Sequence, residues 1–222
     1  MLSSVMVRKT FFWLLWGGFI AYAIFLAPAG GAANVELLIQ LFTLQWSEIN
    51  AIVLSLLALV GFWIAAYSAV LFIDGTMQKI PYWLFAVASL GTGVIGLLPY
   101  LALRDSNQEF QGSKNNFLKF WDSPLTALNI LTAIVALGTY VSIADGGREF
   151  LVQFQTLRFV NVMTVALILF WLGFPTVVGD DLARRGVKNK LFLTLITIVP
   201  VFGAIAYWGL RPQLSAERET QE

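Results

Sequence analysis

Residues 36–46 read ELLIQLFTLQW, and residues 149–159 read EFLVQFQTLRF. Aligned, Glu36 meets Glu149, Leu38 meets Leu151, Gln40 meets Gln153, Thr43 meets Thr156 and Leu44 meets Leu157. Most other positions are apolar against apolar, and each copy precedes a long apolar run. This is an internal repeat, and it divides the chain into two similar halves. Each copy is too short to cross a bilayer, which takes about 20 apolar residues in a helix. In the first copy Leu37, Leu38, Leu41, Phe42 and Leu44 are apolar beside polar Glu36, Gln40 and Gln45. That pattern predicts an amphipathic segment lying at the membrane interface.

Six apolar runs surround the two copies, at 11–28, 49–73, 81–103, 125–144, 160–178 and 191–210. Breakers separate them: PAGGAA at 28–33, Asp74-Gly75, and Asp145-Gly146-Gly147. Ser123-Pro124 supplies an N-cap and a first-turn proline for the fourth run. The basic start at Arg8 and Lys9 could open a signal peptide. The first run is long and aromatic, however, and Pro28 spoils a cleavage site, so a retained helix is expected.

The repeat extends past its clearest part. Gly61-Phe62 matches Gly173-Phe174, Gly75 and Lys79 match Gly186 and Lys190, and Tyr100–Arg104 matches Tyr207–Arg211. The expected fold is therefore an all-α polytopic membrane protein with six transmembrane helices in two inverted three-helix repeats. Two interfacial amphipathic segments complete it. Three crossings per unit would reverse the second copy, with a pseudo-two-fold axis in the membrane plane. The chain forms one membrane domain: repeat one 11–104, connector 105–123, repeat two 124–211 and a mobile tail 212–222.

On that topology the positive-inside rule gives no orientation. Arg8, Lys9, Lys79, Arg148, Arg158, Arg211 and Arg218 fall on one side. Arg104, Lys114, Lys119, Arg184, Arg185, Lys188 and Lys190 fall on the other.

Composition agrees with the class. The hydrophobic share is 58% and the charged share 12%, against about 45–50% and 25% for soluble domains. Net charge is +1, so no basic surface argues for nucleic acid. The chain has no Cys and no His, which removes thiol chemistry, the usual haem ligand and the commonest zinc ligand. No cofactor, no metal and no enzymatic constellation is expected.

Two sets of polar residues stand out. Asp180, Asp181, Arg184 and Arg185 place two acids one turn before two bases. The bland expectation is a pair of exposed i,i+4 ion pairs, each worth about 0.2–0.5 kcal/mol, so single substitutions there should cost little. A lipid headgroup or a partner could also meet this cluster. Glu36 with Glu149, and Gln40 with Gln153, are repeat-equivalent and could serve a symmetric transport site, although an acid early in a helix is also favoured for its own sake.

The segments FIDGTMQKIPYWLFAVASLG (72–91), GLLPYLALRD (96–105) and GDDLARRGVKNK (179–190) resemble uncharacterised multi-pass membrane proteins of cyanobacteria with plastid relatives. The resemblance covers most of the chain and implies a thylakoid or plasma membrane, with the lipid bilayer and other membrane proteins as partners. It implies no activity. The function expected is a non-catalytic accessory or assembly factor packing against a larger photosynthetic-membrane complex. The alternative is a small inverted-repeat transporter or channel, which broken helices at matching mid-membrane positions would favour.

Overall fold

The computed structural model describes residues 2–106, 109–110, 113–144, 146–187, 190–212 and 214. The tail at 213 and 215–222, expected to be mobile, lies outside the described residues. Among these residues every regular element is helical. Four helices are long and apolar enough to cross a membrane: α1 (Leu2–Ala21, continued by a π turn at Tyr22–Leu26), α3 (Ala51–Gly75), α7 (Pro124–Ile143) and α9 (Arg158–Arg184). Each repeat copy begins as a short helix, α2 (Ala32–Phe42) and α8 (Gly147–Thr156), and a further short helix, α6 (Asn116–Trp121), lies in the connector.

The two remaining apolar runs are not single spans, which corrects the six-helix expectation. The run at 81–103 breaks at Gly93 into α4 (Tyr82–Thr92) and α5 (Val94–Leu103). Gly93 has φ 60°, a left-handed conformation that glycine adopts without steric cost. The limbs then fold back on each other. In a straight helix Tyr82 and Tyr100 would stand about 27 Å apart, yet their ring centroids are 5.0 Å apart. The run at 191–210 breaks at extended Val199, before Pro200, into α10 (Lys190–Ile198) and α11 (Pro200–Leu210). Proline cannot continue the hydrogen-bond ladder.

Glycines let the limbs cross. A Cβ on Gly96 would sit 2.6 Å from the Ser89 backbone nitrogen, and one on Gly203 would sit 2.0 Å from the Ile196 carbonyl oxygen. The small residues at 88–96, which favour close approach of another backbone, thus pack within their own hairpin.

Residues at a fixed separation in the sequence stand in matching places in the fold. Positions 107 apart correspond here, as Gly93 with Pro200, Gly96 with Gly203, Asp74 with Asp181 and Trp63 with Phe170, which replaces the expected matches of Gly61-Phe62 with Gly173-Phe174 and of Gly75 and Lys79 with Gly186 and Lys190. α3 and α9 run parallel, their starts joined through Ile49, Val53, Val160 and Met163. Trp63 stacks on its own counterpart Phe170 at 6.5 Å and 1° between planes, and Tyr67 meets its counterpart Phe174 at 5.4 Å. Such self-contacts mark a two-fold axis running along α3 and α9, not across them.

The inverted arrangement is therefore corrected to a parallel one. Each half has two long helices and a folded-back pair, an even number of passes. Both amphipathic segments consequently lie on one face and touch. Asn50 Nδ2 donates to the Gly146 carbonyl at 2.9 Å, Arg158 Nε to the Pro28 carbonyl at 2.9 Å, and Phe159 N–H to Asn34 Oδ1 at 3.2 Å.

Both hairpins point the other way, with their ends at the far face. Arg8 Nη2 donates to the Arg104 carbonyl at 2.6 Å, and Arg185 Nη1 to the Pro212 carbonyl at 2.5 Å. Arg8 and Arg211 both lie at this face, so the described ends of the chain share a side.

Candidate functional site

Two features could carry function: a buried ionic network at the hairpin ends and an apolar groove at the tip of the first hairpin.

The network has one core unit per half. In the first, Asp74 at the end of α3 receives Arg104 Nη2 at 2.7 Å, Arg104 Nε at 2.9 Å and the Tyr100 hydroxyl at 3.0 Å. In the second, Asp181 receives the Tyr207 hydroxyl, and Arg211 Nη1 stands 3.5 Å away. Tyr100 and Arg104 lie one turn apart on α5 and its cap, so both reach the same acid; Tyr207 and Arg211 repeat this on α11. Each unit ties the returning limb of a hairpin to the neighbouring long helix.

The units are cross-linked. Arg184 Nη2 donates to Asp74 at 2.8 Å and its Nη1 to Asp181 at 3.2 Å, joining the halves. Asp180 accepts from Arg104 at 2.7 Å, and Arg8 lies 3.9 Å from it. Arg185 Nε pairs with Asp181 at 2.8 Å, while its Nη2 and that of Arg211 each reach Asp122 at 2.8 Å. Lys114 also pairs with Asp122.

The sequence expectation for this cluster is therefore corrected. Only Asp181–Arg185 forms the expected i,i+4 pair; Asp180 turns to α5 and Arg184 to α3. None is a solvated surface pair, since the Arg184 and Arg185 side chains are 3% and 1% exposed and Asp181 is fully buried.

Burial alone would lower the Arg104 pKa, but the hydrogen bonds and charge of Asp74, then those of Asp180, outweigh it and raise it above the ordinary arginine value. Each carboxylate of the network faces at least one guanidinium, and the arginines in turn face carboxylates, which suits a clamp. At the rim, Lys9 donates to Asp105 at 2.9 Å and holds that carboxylate below its usual range.

The repeat-equivalent polar pairs at the opposite face do not form one site. Glu149 accepts from Asn50 and from Gln153, each at 3.0 Å. Glu36 is exposed. Identical residues thus sit in different surroundings, and Glu149 serves as a clasp between halves.

The groove lies where the tip of the first hairpin, α2, α3 and the start of α9 meet. Its volume is about 530 Å³. Phe19 of α1, Leu57 and Val60 of α3, Leu90 to Gly93 of the hairpin, and Phe159, Val162, Met163 and Ala166 of α9 supply its walls. Asn34 and Arg158 are its polar residues at the interfacial end. Gly93 comes against Val60, which lies 14 residues, or about 21 Å of helix, from Asp74. The tip therefore reaches more than halfway along α3.

Among the described residues no group of three Asp or Glu side chains is placed to hold a metal ion. Sequence reasoning missed Asp74, Tyr100, Arg104, Tyr207, Arg211 and the groove. The common 107-residue spacing of both Tyr–Asp–Arg sets was the available signal. No protein-family model, no curated protein and no solved structure matches the chain.

Proposed function

We propose that the chain is a non-catalytic integral membrane protein that takes up an amphiphile in the groove at the first hairpin tip, acting as a small carrier or transporter. The observation that carries this reading is the open groove beside a helix broken at mid-depth. In a bilayer core about 30 Å thick, limbs of 11 and 10 residues reach about half-way, so the hairpins are re-entrant. Irregular backbone at that depth is tolerated only where protein or a cavity surrounds it. Apart from Thr92 the groove walls are apolar, and the ionic network sits far from the tip, so an amphiphile suits the site better than an ion.

The test is lipid retention. After delipidation in a neutral detergent, native mass spectrometry should find about one lipid per wild-type chain and none on Leu57→Trp, which fills the groove. Equal retention would refute the reading.

A second reading keeps the accessory or assembly role in a photosynthetic membrane. The observation favouring it is the outer face of α7, where Leu125, Leu128, Val135 and Tyr140 are exposed along with Asn129. A polar amide on a lipid-facing helix gains from a partner helix. Native purification from a cyanobacterial thylakoid should then recover a partner that Asn129→Leu loses.

A further inference from the structure

We propose that the groove selects an anionic membrane lipid, its headgroup on Arg158 and one acyl chain running along α3 to the hairpin tip. This deepens the amphiphile reading and rests on it. Arg158 Nε donates to the Pro28 carbonyl at 2.9 Å, which anchors the guanidinium at the mouth. Its two Nη atoms have no hydrogen-bond or ion-pair partner among the described residues, unlike the arginines of the network. Asn34 uses Oδ1 to accept from the Phe159 N–H, which leaves its Nδ2 as a second donor at the same end.

Among the described residues no acid lines the groove, so the mouth is positive and donor-rich above walls that are apolar apart from Thr92. Leu57 and Leu90 on those walls are 39% and 74% exposed. The groove is thus open sideways, toward the bilayer that would supply the lipid.

The repeat gives independent support. Arg158 stands where the first copy has Gln45, each following Thr-Leu. Both copies border the groove, through Leu38 of the first and Arg158 and Phe159 of the second, but only the second brings a cation to it.

The experiment titrates delipidated protein in neutral detergent with phosphatidylglycerol or phosphatidylcholine carrying the same acyl chains, read by native mass spectrometry. Melting temperature checks that each variant is folded. Wild type should bind phosphatidylglycerol about tenfold more tightly, the worth of one hydrogen bond to a charged group. Arg158→Gln should lose that preference yet keep phosphatidylcholine binding, and Arg158→Lys should keep most of the preference. Equal binding of the two lipids by wild type would overturn the proposal, as would glycerol 3-phosphate binding as tightly as phosphatidylglycerol. If Leu57→Trp abolishes binding of both lipids while wild type shows no preference, the groove stands and the selectivity fails. If Leu57→Trp changes nothing, the groove reading itself fails.

Discussion

Replacing Asp74 by alanine tests whether the ionic network holds the hairpins. Asp74 is fully buried and accepts from Arg104 twice, from Arg184 and from Tyr100, at 2.7 to 3.0 Å. At about 1.5–3 kcal/mol for each charge-assisted bond, four bonds would sum to about 6–12 kcal/mol. That sum overstates the loss, because Arg104 keeps Asp180 and Arg184 keeps Asp181. Removing one partner of a buried pair costs about 3–5 kcal/mol, chiefly by leaving excess positive charge out of water.

In a chain of this size that cost lowers the melting temperature by about 6–20 °C. Asp181→Ala, at the equivalent position, should cost a similar amount. Lys9→Ala removes an exposed pair and should cost less than about 1 kcal/mol. The assay is thermal unfolding in one detergent, followed by tryptophan fluorescence. If both aspartate variants melt within about 2 °C of wild type, the arginines find other solvation and the network is not what secures the returning limbs.

Four further outcomes are expected. Gly96→Ala should destabilise by about 1–3 kcal/mol, because the new methyl group meets the Ser89 and Ala88 backbone; an unchanged melting temperature would mean that the limbs do not cross there. Leu44 has φ 61°, and relieving left-handed leucine should make Leu44→Gly more stable by about 1 kcal/mol, which denaturation in mixed micelles would detect. Asp105, its pKa depressed in the folded chain by Lys9, adds a small stability that is present above the unfolded value of about 3.9 and lost as pH falls through the lower folded value. That acid-limb loss should disappear in Lys9→Ala, and its persistence would show that another carboxylate causes it. Finally, Arg8, Lys9, Lys79, Arg104, Lys114, Lys119, Arg184, Arg185 and Arg211 lie toward the network face, against Arg148 and Arg158 at the other. The positive-inside rule then puts the network face in the cytoplasm, and cysteine labelling at Lys9 from the outside of intact cells would contradict it.

The sequence told the element types and not their path. Apolar length and breakers located all six runs and both amphipathic segments, because each depends on local composition. The folded-back pairs escaped because limbs of 11 and 10 residues add up to the length of one span. A Gly at 93 and a Pro at 200 are each tolerated in ordinary transmembrane helices, so neither forces a hairpin by itself. One wrong pass per half then inverted the symmetry and produced the tied charge count. Burial of the network was illegible for a related reason. Charges at helix ends look solvated until the hairpin ends are known to return there, and Asp74 read as a turn residue beside Gly75. The groove needs the tip of one hairpin beside the start of a helix from the other half, a proximity that local spacing does not encode.

An even number of passes has a consequence for how such a chain can arise and insert. A unit that ends on the side where it began can be copied in tandem, and the second copy enters the membrane in the same sense as the first. Its charge bias needs no reversal, and no linker has to cross the bilayer. Each copy's acid, tyrosine and arginine then arrive on the side where the other copy's already stand, so the two clamps merge through Arg184 instead of facing each other across the lipid. A duplicate with an odd number of passes would have stranded them on opposite surfaces. Once the clamps were shared, single positions at the opposite face could change without loosening them, as where Gln45 of one copy aligns with Arg158 of the other.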